Sequence, residues 1–199
     1  MSKKILITGG PGTGKSSLIE ELKKNNFKCF DEISRGITLK YRKKGIEQLF
    51  LSDPDLFSQE LLNGRIQQFN DSKKLQTDYV FFDRGIPDII AYLNFKKVHF
   101  SKKILKSNAR DVLSVEDNPL LDNKMLALII DKYRYDKVFL LEPWKDIYSS
   151  DIIRYESFDQ VITIDSYIKN TYKEFGYNPI IVPKDNIKNR VDFIINSLK

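Results

Sequence analysis

The chain has 199 residues, 33 of them lysine or arginine against 27 aspartate or glutamate, for a formal net charge of +6. That length makes one domain, or a domain with a small appendage, and an apolar content of 41% with 12% aromatics can bury a real core. Collagen-like and fully disordered classes are excluded, and no apolar run approaches the roughly 20 residues that span a bilayer.

The single cysteine, Cys29, cannot form an internal disulfide, and Met1-Ser2-Lys3-Lys4 leads into only Ile5-Leu6-Ile7, too short a stretch for a signal peptide. A reducing, cytoplasmic location is expected. Lysines outnumber arginines and are scattered as pairs such as Lys23-Lys24 and Lys96-Lys97, so the charge reads as a solvated surface. Neither nucleic acid nor membrane is an expected partner, and the oligomeric state is not readable.

Ile5-Leu6-Ile7 predicts a first, buried strand, and Gly9-Gly10-Pro11-Gly12-Thr13-Gly14-Lys15-Ser16 follows it at once, with Ser17-Leu18-Ile19 opening a helix over 16–24. This is G-x-x-x-x-G-K-S in its strand-loop-helix context. Glycines let backbone N–H groups close around a phosphate chain, and the helix N-terminus adds positive potential there. Gly9 through Ser17 are therefore the candidate nucleotide ligands, for ATP or alternatively GTP. Lys15 is expected on the β- and γ-phosphates and the Ser16 hydroxyl on Mg²⁺. A glycine turn that merely links strand to helix does not explain Lys-Ser at this spacing.

A second strand, 27–30, carries Cys29 as a core residue and ends in Asp31-Glu32-Ile33-Ser34-Arg35. Strand ends in a doubly wound sheet emerge on the rim that holds the phosphate loop. Glu32 could take a proton from an acceptor hydroxyl, with Arg35 one helical turn along as a substrate contact. The same residues equally suit a helix N-terminus with an Arg salt bridge.

Helical spacing over 54–74 precedes a third strand, 79–82, that runs into Asp83. Asp83 is the natural second ligand for the metal and a candidate substrate contact, although strand-end aspartates also serve as caps. Hydrolytic ATPases often carry Glu next, whereas this chain has Arg84-Gly85. A guanidinium there suits phosphate clamping or transition-state neutralisation, or else a surface turn. A helix over 87–95 gives way to a polar, weakly periodic stretch at about 96–118, read as an irregular insertion that either covers the site or is partly mobile. His99, the only histidine, lies in it, so no His-based metal site or triad can be built.

A helix over 119–133 and a fourth strand, 138–141, lead to Glu142-Pro143-Trp144. The segment at about 143–157 reads as a lid, a proline-started helical piece whose Arg154 either closes on the transferring phosphoryl group or lies on the surface. Trp144 either anchors this segment by packing or stacks on a base. A helix over 158–175, a fifth strand, 180–182, and a helix over 187–198 complete the chain. Strand alternating with helix five times predicts an α/β fold, a doubly wound parallel sheet with helices on both faces, in one domain spanning 1–199.

These residues resemble a known family, the P-loop AAA-like ATPases and kinases related to the nicotinamide riboside kinase part of bifunctional bacterial NAD-biosynthesis proteins. The resemblance rests on Ile7 to Ser17 and on Phe82-Asp83-Arg84-Gly85-Ile86-Pro87-Asp88. It continues through Tyr133 to Leu141 and through Pro143-Trp144, Tyr148, Asp151, Arg154 and Ser157-Phe158. It implies a nucleoside-kinase-like P-loop fold, Mg²⁺ and nucleoside triphosphate use, Asp83 on the metal, Arg84 near phosphates, and Glu32 with Arg35 at the acceptor. It does not fix the acceptor.

The expected function is Mg²⁺-dependent phosphoryl transfer to a small hydroxyl-bearing molecule, a nucleoside or derivative first, using Lys15, Arg84, Arg154 and Glu32. Two alternatives stand beside it. One is a nucleotide-dependent switch, without the guanine-reading Asn-Lys-x-Asp signature, since Asn123-Lys124-Met125-Leu126 fails it. The other is nucleic-acid end processing, which would use the positive charge.

Overall fold

A computed structural model describes residues 2–107, 123–149 and 156–199. Its elements run β1 (Lys3–Gly9), α1 (Lys15–Lys24), β2 (Lys28–Phe30), α2 (Ser34–Arg42), α3 (Leu49–Ser52), α4 (Pro54–Ser72) and β3 (Tyr79–Asp83). They continue α5 (Ile86–Ser107), α6 (Asn123–Lys132), β4 (Lys137–Leu141), α7 (Phe158–Glu174), β5 (Ile180–Ile181) and α8 (Ile187–Asn196). The strands form one parallel sheet in the order β2-β3-β1-β4-β5.

The three central strands read as unbroken apolar runs because both of their faces are covered. Side chains alternate between two cores. Leu6, Val80, Phe82, Val138 and Leu140 point toward the larger one, shared with α4, α5, α6 and α7. Ile5, Ile7, Phe81, Phe139 and Leu141 point toward the smaller one, shared with α1 and α8. Register then fixes the rim: Ile7 of β1 lies opposite Asp83 of β3, and Gly9 opposite Leu141 of β4. The loops leaving β1 and β3 thus open side by side at the carboxyl end of the sheet, where ligands bind in open α/β folds.

Local chemistry sets the helix starts. Asp53 accepts the Leu56 N–H ahead of Pro54 at the first turn of α4. Ser157 and Gln160 form a reciprocal capping box on α7. Asn186 caps α8 through the Asn189 N–H.

Several expectations need correction. Residues 96–107 are the second half of α5, not an irregular insertion. Polarity masked the helix, yet no glycine or proline occurs between Asp88 and Asn118 to stop it. The remainder of that stretch, and the start of the helix expected over 119–133, lie outside the described residues. Of the two readings of Asp31 to Arg35, the helix N-terminus is present, since α2 starts at Ser34, and the single turn α3 follows it. Among the described residues of the lid segment the structure shows a 3₁₀ turn at Lys145–Ile147, and residues 150–155, Arg154 included, lie outside the described residues. Cys29, expected in the core, is half-buried because β2 is an edge strand, and burial pushes its thiol up to about 12. None of the described helices is long and apolar enough to cross a membrane.

Candidate active site

The phosphate loop is built around positive-φ glycines. Gly9 has φ 146°, and a β-carbon there would lie 2.3 Å from the backbone oxygen of Leu141 on the neighbouring strand. Gly14, at φ 86°, is the N-cap of α1. Only glycine meets both demands without strain.

Lys15 Nζ donates to the carbonyls of Gly9 at 2.8 Å and Gly10 at 2.6 Å, and lies 3.3 Å from the Thr13 hydroxyl. Burial, with Arg84 nearby, lowers its pKa to about 7, against the opposing pull of Asp83, Glu32 and Asp88. Behind the loop, buried Arg190 of α8 donates through Nη2 to the Thr13 carbonyl at 3.0 Å, and its guanidinium lies 6.0 Å from the Trp144 ring centroid. Trp144 is half-buried, and its Nε1 donates to Asp146.

Beside the loop, burial raises the Asp83 carboxyl to about 6. Its Oδ1 is buried without a hydrogen-bond partner. Such an atom is costly to leave unmatched and suits a cation. The exposed hydroxyls of Ser16 and Ser17 line the same cavity. A hydroxyl and one carboxylate fit Mg²⁺, which takes few protein ligands and completes its shell with water and phosphate oxygens. Among the described residues no cluster of three or more metal-ligating side chains exists, so an all-protein cage is not offered.

Opposite stands Glu32. Arg84 Nε donates to its Oε2 at 2.6 Å, while Arg65 Nη2 and the Ser34 N–H donate to Oε1, each at 3.1 Å. Burial alone would raise this carboxyl; the two arginines and the Ser34 N–H outweigh it and hold Glu32 below the usual carboxylate range. Arg65 comes from the middle of α4, is 2% exposed, and also donates to the Asp83 carbonyl at 3.2 Å. Arg84 has φ 69°, its N–H donates to the Ile7 carbonyl at 2.9 Å, and its guanidinium lies 5.1 Å from the Tyr92 ring centroid.

These groups line one cavity of about 590 Å³, within the range of small-molecule sites. The phosphate loop from Pro11 to Ser17, Asp83, Arg84, Glu32 and Arg35 all border it. Arg35 is exposed and makes no ion pair among the described residues, so Glu32 finds its partners in Arg65 and Arg84 instead. The rings of Phe50, Phe57 and Tyr92 also line it, with Phe50 edge-on to both others and Tyr92 beside the Arg84 guanidinium. Gln48 and the buried Ser58 supply polar groups there.

Sequence reading gives no role to Arg65, Asp88 or Arg190, although Asp88 closes the run that carries the resemblance. A signal existed for Arg65: it stands four residues after Leu61 and four before Phe69, a cation inside the buried stripe of α4. The partners of Asp88 come from distant strands and helices. Nothing local marks Arg190.

A parallel sheet carrying a phosphate loop after β1 and an aspartate at the end of β3 defines a P-loop nucleotide-binding fold. Residues 4–190 match the AAA domain family, and the chain belongs to it. Among solved structures, 98% of the chain aligns with 98% of deoxyadenosine kinase from M. mycoides, a structure with products dCMP and a flexible dCDP bound, at 20% identity and a TM-score of 0.60. Thymidylate kinase from Ehrlichia chaffeensis is 14% identical over 100% of this chain and 99% of that one, with a TM-score of 0.59. Thymidylate kinase from Candida albicans is 15% identical over 99% and 91%, with a TM-score of 0.61. At these identities the likeness is one of fold. No curated protein matches the sequence.

Proposed function

We propose that this protein is a Mg²⁺-dependent phosphotransferase that moves the terminal phosphoryl group of ATP, or of GTP, to a hydroxyl of a nucleoside-like molecule. The observation that carries the reading is Glu32: a carboxylate held ionised by Arg65 and Arg84 in the same cavity as the phosphate loop. A hydrolytic site needs only a water-sized space opposite the phosphates. This cavity instead extends to the aromatic rings of Phe50, Phe57 and Tyr92 with two polar side chains among them, which suits a planar heterocycle.

In this reading the backbone of Gly9 to Ser17 cradles the donor phosphates and Lys15 exchanges the Gly9 and Gly10 carbonyls for phosphate oxygens. Ser16 and Asp83 would hold Mg²⁺, which supplies neutralisation of phosphate charge when bound. Glu32 orients the acceptor hydroxyl and accepts its proton as the bond to phosphorus forms; its low proton affinity suits a transfer in which the hydroxyl loses its proton late. Arg84 neutralises charge on the transferring group, and Arg154 is the candidate lid cation. The similarity to deoxyadenosine kinase and thymidylate kinases supports a nucleoside or nucleotide as acceptor, and a relation to nicotinamide riboside kinases would be one version of it. Arg35, at the cavity wall and without an ion pair among the described residues, favours a second reading in which the acceptor is a nucleoside monophosphate.

The test is to incubate the protein with Mg²⁺, γ-labelled ATP or GTP and a panel of nucleosides, nucleoside monophosphates, vitamins and oligonucleotides. Label on a nucleoside-like molecule, abolished in a folded Lys15→Ala protein, is the expected result. Label only in free phosphate, or undiminished transfer by Lys15→Ala, overturns the assignment.

A further inference from the structure

The run Phe82-Asp83-Arg84-Gly85-Ile86-Pro87-Asp88 ends in a carboxylate for which the transfer scheme has no use. Asp88 lies in the first turn of α5 and is 2% exposed. Its Oδ1 accepts from the Thr8 hydroxyl at 2.6 Å and from Arg84 Nη1 at 3.2 Å. Its Oδ2 accepts from the Gly85 N–H at 2.7 Å and from the Tyr172 hydroxyl at 2.6 Å. The donors come from β1, the turn after β3 and α7. A carboxylate has about four lone-pair sites, and all are taken. Asp88 therefore has no capacity left for a metal, a phosphate or an acceptor.

We propose that Asp88 is a positioning residue that fixes the guanidinium of Arg84 against Glu32. Arg84 occupies a left-handed backbone conformation, φ 69°, which a non-glycine residue adopts only where its surroundings impose it. Asp88 imposes it twice. It binds the next backbone N–H, that of Gly85, and so holds the turn; it binds Nη1 and so aims the side chain whose Nε meets Glu32. The turn cannot shift toward the core. A β-carbon at Gly85 would lie 2.9 Å from Tyr135 and 3.0 Å from both Leu6 and the Tyr172 hydroxyl. Tyr172 in turn anchors the carboxylate to α7, so the placement of Arg84 depends on packing between α5 and α7. The kinetic consequence rests on the phosphotransferase reading; the geometric one does not.

Asp88→Asn tests both. An amide presents one acceptor oxygen to four donors, so it must face an N–H₂ group toward either the Arg84 side or the Gly85 side. In a variant folded at the assay temperature by circular dichroism, kcat is expected to fall about tenfold to a hundredfold, the scale of a misplaced catalytic group. The dissociation constant of a fluorescent ATP analogue should stay within twofold. A merely structural role makes a different forecast in a double-mutant cycle with Arg84→Ala. If Asp88 acts through Arg84, the double variant is no slower than Arg84→Ala alone; losses that multiply overturn the proposal, as does an unchanged kcat in Asp88→Asn.

The arginine side-chain Nε–H spectrum, with Arg84 assigned by Arg84→Lys, gives an arm independent of turnover. The Arg84 resonance should move or broaden in Asp88→Asn, and an unmoved resonance overturns the proposal. Should the wild-type chain phosphorylate no acceptor at all, the phosphotransferase reading falls and this spectrum alone decides the role of Asp88. Should Asp88→Asn fail to fold, Tyr172→Phe, which removes one donor from the same carboxylate without touching Arg84, is carried through the same cycle and spectrum with the same criteria.

Discussion

Lys15 sits between two environments. Held on the Gly9 and Gly10 carbonyls it has a pKa of about 7, because burial disfavours its charge; a phosphate chain in the loop favours the charge and raises that value. The complex then binds more protons than the separated partners from about pH 7 upward. By linkage, binding takes up protons and affinity falls as pH rises through 7. Calorimetry of ATP binding at pH 8 in buffers of different ionisation enthalpy should show net proton uptake that shrinks toward zero at pH 6. Elsewhere on the cavity wall, the Gln48 carbonyl accepts from the Leu51 and Ser52 N–H groups and the Ser52 hydroxyl, and the residue lines the cavity together with Phe50, Phe57 and Tyr92. Gln48→Leu should raise the acceptor KM about tenfold or more while leaving the ATP KM within twofold, the signature of a lost polar contact to one substrate. Equal changes in both constants would place Gln48 outside the acceptor site.

At the level of elements, the phosphate loop is a connection that tolerates very little. Gly9→Ala would drive a methyl group into the Leu141 carbonyl at 2.3 Å in a backbone conformation that L-residues avoid. Fluorescent-nucleotide titration should register loss of donor binding in this variant even where circular dichroism reports native helix content. The start of α7 is governed more gently. Ser157→Ala removes the acceptor for the Gln160 N–H and should cost about 1 kcal/mol in urea unfolding, the usual worth of a cap. Helices were legible where they had a clear apolar face or a capping signal, as in α1, α4, α7 and α8. They were legible only as one of two readings where the face is short, as in α2 with only Ile37 and Tyr41 buried, and underestimated where lysines dominate, as in the second half of α5.

For the whole molecule, two cores on opposite faces of one sheet mean that a ligand at the rim touches elements belonging to both. Arg190 on α8 belongs to one layer, and Glu32, Arg65 and Asp88 contact the other, yet all converge on the loops after β1 and β3. Saturating nucleotide should therefore stabilise the entire fold. At about a hundred times its dissociation constant the gain is roughly 2.7 kcal/mol. At roughly 2–4 °C per kcal/mol for a chain of this size, the melting temperature should rise by about 5–10 °C. Differential scanning fluorimetry with ATP and Mg²⁺ measures this, and Lys15→Ala should show no shift.

The sequence by itself determined the parallel sheet, the phosphate loop and the pairing of that loop with Asp83. Each is written in local terms: unbroken apolar strands, glycines at fixed spacing, a charged residue where a strand ends. Only the tertiary structure decided who partners Glu32. Arg35 stands three residues away in the chain, yet Arg65 and Arg84, 33 and 52 positions along, hold the carboxylate, because strand order brings β2, β3 and α4 to one rim. Asp88 follows the same rule, since its donors Thr8 and Tyr172 lie 80 and 84 residues away. Buried charges are stable only where partners surround them, and such partners are supplied by the fold, not by neighbours in the chain.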